Sequence, residues 1–501
     1  FRNTLQYTGE YAGKHYISLF AGQEIQERTA YNSFNYSPVF DEEHRIVGFP
    51  EMDDIDGSEI NYSALGGTGK SVSKMSSFFA NASYSYLDKY ILTGALRYDG
   101  SDIIGNDNQF TPLWNVGLRW NLHREEFMKR WMWVDQFAVR GGFGYTGSID
   151  KNALPFVVMT LGQSVIYDGQ TVPTSFSYPN PNVKWQTKQD MNVGLDLSLF
   201  DYRLELGVNY YNNITRDVLD RKALPYSSGR SEVTENVADI YNSGWEIDLG
   251  VTLLKNKSFQ WYAKANIAIN DNKVKNTYYK DTKDLPKATL SNAHQFVENQ
   301  PVNGWYGYKF AGINPINGAV MTYTGNGEAT LDMSVSGATW PIPSVFYLGN
   351  LTPPVVGGFS TSANWKQLIF SANFEFKTGH KIKSFNTFRS LDARNRHTSE
   401  ANRWREPGDI TNVPAMSEAF TTYSSYMYDI LLEKGNYLRC SYMTLGYNLK
   451  PEWLHKIGFS TARLSFTAKD LFTVSSYSGI DPALMGSFGY KNSRKYKINL
   501  N

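Results

Sequence analysis

The sequence predicts an all-β protein: an antiparallel transmembrane β-barrel, or the greater part of one, with long loops at one end. Three observations predict it. Apolar and polar residues alternate along many segments, the apolar stripes end in Trp or Tyr, and short connections take turns with long polar ones.

Alternation with a period of two is the signature of a strand whose two faces meet different surroundings. In 191–199, Met191, Val193, Leu195, Leu197 and Leu199 share one face, while Asn192, Gly194, Asp196 and Ser198 share the other. Leu204, Leu206, Val208 and Tyr210 then oppose Arg203, Glu205, Gly207 and Asn209. Only Phe200, Asp201 and Tyr202 separate the two stripes, which therefore read as a hairpin. The same pattern runs through Phe78–Tyr86, Trp245–Leu253, Trp261–Ile269, Leu368–Phe376 and Ala462–Ala468.

Any half-solvated antiparallel sheet alternates in this way. Here, however, the polar face carries Arg, Glu, Asp and Lys inside long strands, which suits a wide, wet lumen. Trp245, Trp261, Tyr86, Tyr90, Tyr98 and Tyr210 stand near the ends of apolar stripes, as aromatic girdles do at the two membrane interfaces.

Connection lengths are an independent test. Short links fall at Leu87-Asp88-Lys89, Phe200-Asp201-Tyr202, Lys255-Asn256-Lys257 and Asn364-Trp365-Lys366. Long polar stretches fall at 27–75, 148–188, 212–242, 271–304, 378–435 and 475–493. Short periplasmic turns and long extracellular loops alternate in this manner in outer-membrane barrels, and roughly 14 to 16 strands result. The stripes differ in sequence and spacing, which argues against a propeller or solenoid.

Composition agrees. Aromatics make up 15% of the 501 residues while the mean hydropathy is −0.42, a pairing that suits one oily face and one wet face. A net charge of +1, without a basic block, gives no basis for nucleic-acid binding. Cys440 is the only cysteine, so intramolecular disulfides and multi-cysteine metal sites are excluded. No apolar run reaches the roughly 18 residues of a spanning helix. Phe1-Arg2-Asn3-Thr4-Leu5 has no signal-peptide character, so an export signal is expected upstream.

Motifs that suggest other chemistry fail on context. Ala64–Ser71 loosely matches a phosphate-binding loop, but the residues after it alternate as a strand instead of opening a helix. A Gly-rich surface loop is expected there. In the run Glu51–Glu59, Asp53, Asp54, Asp56 and Glu59 offer hard oxygen ligands to calcium, without EF-hand spacing. A solvated loop is expected, and no cofactor. The seven histidines show no metal-ligand spacing, no GxSxG elbow occurs, and nothing points to an enzyme.

The long loops carry aromatic clusters: Tyr31, Phe34 and Tyr36; Tyr278 and Tyr279; Trp404, Tyr423 and Tyr426. Such rings serve as stacking platforms for substrate or as contacts for a partner. The plainer reading is that they pack the loops together.

Several segments resemble the SusC/RagA family of TonB-dependent outer-membrane transporters of Bacteroidetes. Lys89–Ser101 is similar to a strand and turn of that family, Asn180–Thr187 to its "NPNLKWE" lead-in, and Asn242–Glu246 to its "NKGWE" strand start. The densest match is Glu433-Lys434-Gly435-Asn436-Tyr437-Leu438-Arg439, then Thr444–Leu449, Asp470–Thr473 and Tyr477-Ser478-Gly479-Ile480-Asp481-Pro482. These are read as turns and strand starts.

The resemblance implies that residues 1–501 are the C-terminal portion of a barrel of about 22 strands with a plugged lumen. The plug domain and TonB box are expected outside this chain. The chain ends Lys497-Ile498-Asn499-Leu500-Asn501 instead of on the family's terminal aromatic, which also suggests one piece of a larger whole. Implied partners are a SusD-like surface lipoprotein, TonB–ExbB–ExbD acting through the N-terminal part, the rest of the same transporter, and outer-membrane lipid and LPS. The implied function is uptake of oligosaccharides or peptides across the outer membrane. Alternatives are a passive porin or adhesin barrel and, further off, a soluble all-β glycan-binding protein.

Overall fold

The computed structural model describes residues 1–35, 39–40, 46–48, 66–102, 104, 109–148, 159–167, 170–176, 184–224, 227, 232–282, 296–329, 345–384, 401–415, 428–455, 458–484 and 494–500. Fifteen strands form one antiparallel sheet in chain order. They are β1 (Arg2–Tyr11), β2 (His15–Asn35), β3 (Gly66–Tyr86), β4 (Tyr90–Ser101) and β5 (Phe110–Asn121). Next come β6 (Val134–Ser148), β7 (Gln186–Leu199), β8 (Leu204–Ala223), β9 (Glu232–Lys255) and β10 (Phe259–Lys275). The last are β11 (Val355–Trp365), β12 (Leu368–Thr378), β13 (Tyr437–Asn448), β14 (Arg463–Ser475) and β15 (Lys495–Leu500). Each strand pairs with its sequence neighbours, and among the described residues the edge strands β1 and β15 do not pair with each other. The architecture is thus a large segment of barrel wall, with the strand number the sequence predicts.

Connections alternate in length from end to end. One end carries turns at 12–14, 87–89, 200–203, 256–258 and 366–367, together with the longer links 122–133 and 449–462. The tight turns need left-handed backbone, and non-glycine residues supply it: Leu87 and Asp88 (φ 52° for both), Asp201 (φ 60°) and Lys366 (φ 51°). The hairpin read at 191–210 forms with Leu199 opposite Leu204 and Val193 opposite Tyr210, so every apolar residue of the pair shares one face.

That face is the outer one. On β4 and β5, Tyr90, Leu92, Leu96 and Tyr98 lie beside Trp120, Leu118, Trp114 and Pro112, and most remain exposed. A soluble sheet would bury such a row; here it meets lipid. Tyr90 stacks on Trp120 at one end (6.2 Å) and Tyr98 on Phe110 at the other (5.1 Å). The eight residue steps between these pairs span about 27 Å along the strand, or about 20 Å along the membrane normal at the usual tilt. That matches the apolar band of an outer-membrane barrel.

At the short-turn end, Glu125 gathers three donors: the Tyr90 hydroxyl (2.6 Å), the Lys89 ammonium (3.0 Å) and the Trp120 indole N–H (3.2 Å). Those hydrogen bonds, Tyr90's first, hold its carboxyl down at about 2. Beside it, Arg124 pairs with Asp88 at 3.0 Å.

Several expectations about extent are corrected. The stretch 212–242 is mostly strand: β8 runs to Ala223 and β9 begins at Glu232. The "NKGWE"-like segment Asn242–Glu246 lies inside β9 instead of starting it. Gly66–Ser71, expected as a loop, opens β3 and pairs with β2, Gly67 opposite Phe34. In the 212–242 hairpin the ladder continues beyond the membrane, where neither face meets lipid and loop side chains cover part of it, burying Val218, Ala238 and Val274 together. Hydrophobic alternation fades there, although the backbone pairing does not.

Candidate functional site

The inner face of the wall carries the chemistry. Arg119 on β5 stands directly opposite Arg140 on β6, a pairing that is repulsive by itself. Asp196 on β7 resolves it, reaching Arg119 at 3.0 Å and Arg140 at 3.6 Å. Arg140 also donates to Asn209 on β8 (3.4 Å), and Asn209 donates to Glu246 on β9 (3.2 Å). One polar row therefore crosses five strands. Its groups are a third or so exposed, so each ion pair contributes less than about 1 kcal/mol. The row is built for a wet surface.

Inward glycines make room for it. A Cβ on Gly194 would sit 2.6 Å from the Arg140 guanidinium carbon, so only glycine lets that side chain lie flat across β7. At Gly250 a Cβ would meet the Tyr262 hydroxyl at 2.6 Å; Tyr262 donates to Glu205 at 3.4 Å.

Towards the long-loop end, amides join charges such as the Lys188–Asp190 pair. Tyr211 donates to Asn270 (2.7 Å), Asn272 donates to Asn242 (3.2 Å), and the Val302 N–H donates to Asn272 (2.9 Å). Asn270, Asn272, Asn303, Asn350, Thr352 and Pro354 line a cleft of about 370 Å³ there.

Beyond the wall, the long connections build a lobe with its own core. Tyr279, Val297, Tyr306, Tyr308, Ile313, Val320, Val345, Tyr428 and Leu431 are buried together, with Phe310, Tyr347 and Trp404 packed against them. At its foot His380 is buried, and its Nδ1 has no hydrogen-bond partner among the described residues. Burial, and secondarily Lys377, holds the His380 pKa below its ordinary value.

The aromatics singled out in the sequence divide accordingly. Tyr279 is buried in the lobe core and meets the exposed Tyr278 edge-on at 5.2 Å. Trp404 packs on the same core and donates its indole N–H to the Pro315 carbonyl (3.2 Å). Tyr31 stands apart from them, exposed on β2 with the Lys70 ammonium 5.8 Å from its ring centre. The backbone of Phe34 is in β2, but its side chain lies outside the described residues, as do Tyr36, Tyr423, Tyr426 and the acidic group Asp53, Asp54, Asp56 and Glu59. Sequence reasoning missed the Arg119–Asp196–Arg140 row. The charges inside long strands were its only trace, since partners on three strands become neighbours only through the register.

The C-terminal motif segments meet in space. Arg439 on β13 pairs with Asp481 at 2.5 Å, both nearly buried, with Glu375 at 3.8 Å. Glu433 accepts from the Ser478 N–H (2.7 Å) and hydroxyl (2.6 Å). These contacts tie the connection after β14 to the long-loop end of β13.

Comparisons with known proteins agree with this architecture. The family described as TonB dependent receptor-like, beta-barrel, matches residues 1–375. TonB-dependent receptor P3 of Formosa agariphila is 28% identical over 521 residues, covering 100% of this chain and 50% of its own length. TonB-dependent receptor SusC of Bacteroides thetaiotaomicron is 24% identical over 428 residues, 81% of this chain and 41% of the relative. The chain thus spans about half the length of the curated relatives it matches. Among solved structures, the RagAB peptide importer in an open-open state superposes with a TM-score of 0.79 at 23% identity, over 100% of this chain and 54% of that one. The RagAB peptide transporter gives 0.76 at 22% identity, covering 100% and 54%. At these identities the likeness speaks for the fold.

Proposed function

Because the chain belongs to the TonB-dependent receptor-like β-barrel family, and so is an outer-membrane protein, we propose that it forms the C-terminal wall of an energy-coupled nutrient importer. The observation that carries this reading is the polar row Arg119–Asp196–Arg140–Asn209–Glu246 behind an unbroken lipid-facing surface. A wall of this kind offers a wet, hydrogen-bonding lumen to a plug and to a polar cargo. The relatives are named as receptors and transporters, not as enzymes.

The cargo we propose is an oligosaccharide or a peptide, taken up with a SusD-like lipoprotein over the long-loop end and TonB–ExbB–ExbD acting on the N-terminal part. The amide-lined cleft at Asn270–Asn350 suits either, since both present hydroxyl or amide groups. Of the loop aromatics, Tyr31 and Tyr278 have the exposure a contact surface needs, and Trp404 presents part of its ring.

Uptake of labelled oligosaccharides and peptides by cells with and without TonB tests the reading. Import of one class that vanishes without TonB is expected. Import that persists unchanged, with steady conductance in planar bilayers, would instead identify a passive porin.

A further inference from the structure

Two of the seven connections at the short-turn end are not tight turns. The link 122–133 between β5 and β6 folds into two 3-10 turns, Leu122–Arg124 and Met128–Arg130. The link 449–462 between β13 and β14 contains a one-turn helix, Pro451–Leu454. Each buries one apolar residue against the wall, Met128 in the first and Leu454 in the second. Each then leaves other large apolar side chains in the open: Phe127, Trp131, Met132 and Trp133 in one, Trp453 and Phe459 in the other. Met132 is 92% exposed. A hydrated connection would tuck most of these rings in.

The exposed rings are organised. Trp131 stacks on Trp133 (6.2 Å, 20°), and Trp133 stacks on Phe200 of the neighbouring turn (5.6 Å, 20°). This ladder stands at the same end of the wall as the girdle pair Tyr90–Trp120, whose rings face lipid. Cations accompany the rings in both links. Lys129 and Arg130 precede Trp131, and Lys450 lies 5.8 Å from the Trp453 ring centre. Arg130 is exposed and has no ion-pair partner among the described residues; Lys129 has only the exposed Glu126, at 2.8 Å. Aromatic rings at the level of lipid headgroups, with Lys and Arg reaching for phosphate, are what an interfacial element needs.

We infer that 122–133 and 449–462 are two lipid-binding feet, lying in the plane of the periplasmic leaflet, their rings among the headgroups and their cations on phospholipid phosphates. The occupant is the phospholipid surface itself, because both feet continue the lipid-facing side of the wall and the first offers the exposed Lys129 and Arg130 to phosphate. They stand eight strands apart in the sheet, roughly 40 Å of wall at the usual strand spacing. Two feet at that separation fix the tilt of the barrel as well as its depth. The inference rests on the membrane-spanning reading of the strands.

The test uses Met132→Cys and Phe459→Cys in the membrane-inserted protein, each labelled with an environment-sensitive fluorophore. The native Cys440 is buried. Vesicles of phosphatidylethanolamine and phosphatidylglycerol, brominated near the headgroup end of the acyl chains, serve as quencher. Lys257→Cys, in a tight polar turn at the same end, is the aqueous reference. Leu118→Cys, on the lipid face of β5, is the membrane reference. Blue-shifted emission at both feet, quenched at least about twofold more than at Lys257, is expected for interfacial residues. Quenching at Leu118 with none at the feet overturns this inference alone. Feet shielded from a water-soluble quencher but untouched by bromolipid would mean a protein covers them, which also overturns it. An unquenched Leu118 would overturn the membrane-spanning reading beneath it.

Discussion

Arg439 and Asp481, 42 residues apart in the chain, hold each other at 2.5 Å with both side chains almost out of solvent. A buried pair of this kind is most informative when one partner is removed. Asp481→Ala leaves the guanidinium with Glu375 at 3.8 Å and the Thr473 hydroxyl at 3.1 Å. The expected loss is about 3 kcal/mol, at the lower end of what an orphaned buried charge costs. Asp481→Asn, which keeps an acceptor, loses clearly less. The denaturant midpoints of the two variants check this, and equal midpoints would mean that the pair has no such role.

The lumenal row behaves differently because water reaches it. A double-mutant cycle on Arg119→Ala and Asp196→Ala is expected to give a coupling below about 1 kcal/mol. Gly194→Val, which pushes the Arg140 guanidinium off β7, is expected to cost less than about 1 kcal/mol, because that side chain is flexible and partly exposed and loses only its pairing with Asp196. A change in uptake without a change in stability for Asp196→Ala would assign the row to transport rather than to folding.

Acid reaches the short-turn end through Glu125. Its folded value is about 2 against an ordinary 4.5, so its contribution to stability is complete above pH 4.5 and is lost as pH falls through about 2. Glu125→Gln flattens the pH dependence of stability across that window and leaves it unchanged at pH 7 and above apart from a constant offset. Acid unfolding curves of the two proteins make the comparison.

His380 works with the opposite charge. Its pKa is lowered by burial, so the folded protein prefers it neutral while the unfolded chain protonates it near 6.5. Falling pH therefore costs stability from about 6.5 down to the lowered folded value, below which the penalty is constant. His380→Gln removes this slope. Protease sensitivity of the long-loop end between pH 7 and 5 reads it out, rising in the parent and staying flat in the variant.

The wall was legible in the sequence wherever one strand face meets lipid and the other water. Val193, Leu195 and Leu197 against Asn192, Gly194 and Asp196 gave the hairpin and its register. The strand ends were not legible. From Asn212 to Ala223 and from Glu232 to Asn242 the lipid-against-water contrast is gone: Val218 and Ala238 are buried with Val274 under Phe296 and Val302, and Leu219 packs on Ile104 and Trp185, so no simple alternation marks the strands. Among the candidate site residues, sequence could mark aromatics but not sort them. Tyr278 and Tyr279 look alike in sequence, yet one is exposed and the other is sealed by residues such as Tyr428, some 150 positions away. The Arg119–Asp196 pair spans 77 positions and a whole intervening strand, so only the register brings it together.

The neighbour-to-neighbour order of the sheet has a consequence for how such a protein diversifies. No strand pairing depends on the length of the connection that precedes it. Growing a connection from a three-residue turn to a stretch such as 379–436 adds only on the order of 3 kcal/mol of closure entropy, because that entropy grows logarithmically. Loop length at the outer end is therefore cheap to change, while loop content is tied down where Tyr279, Tyr308 and Tyr428 share a core and where Asp481 holds Arg439 of the wall. A lineage can lengthen or shorten these connections without renegotiating the strand order beneath them.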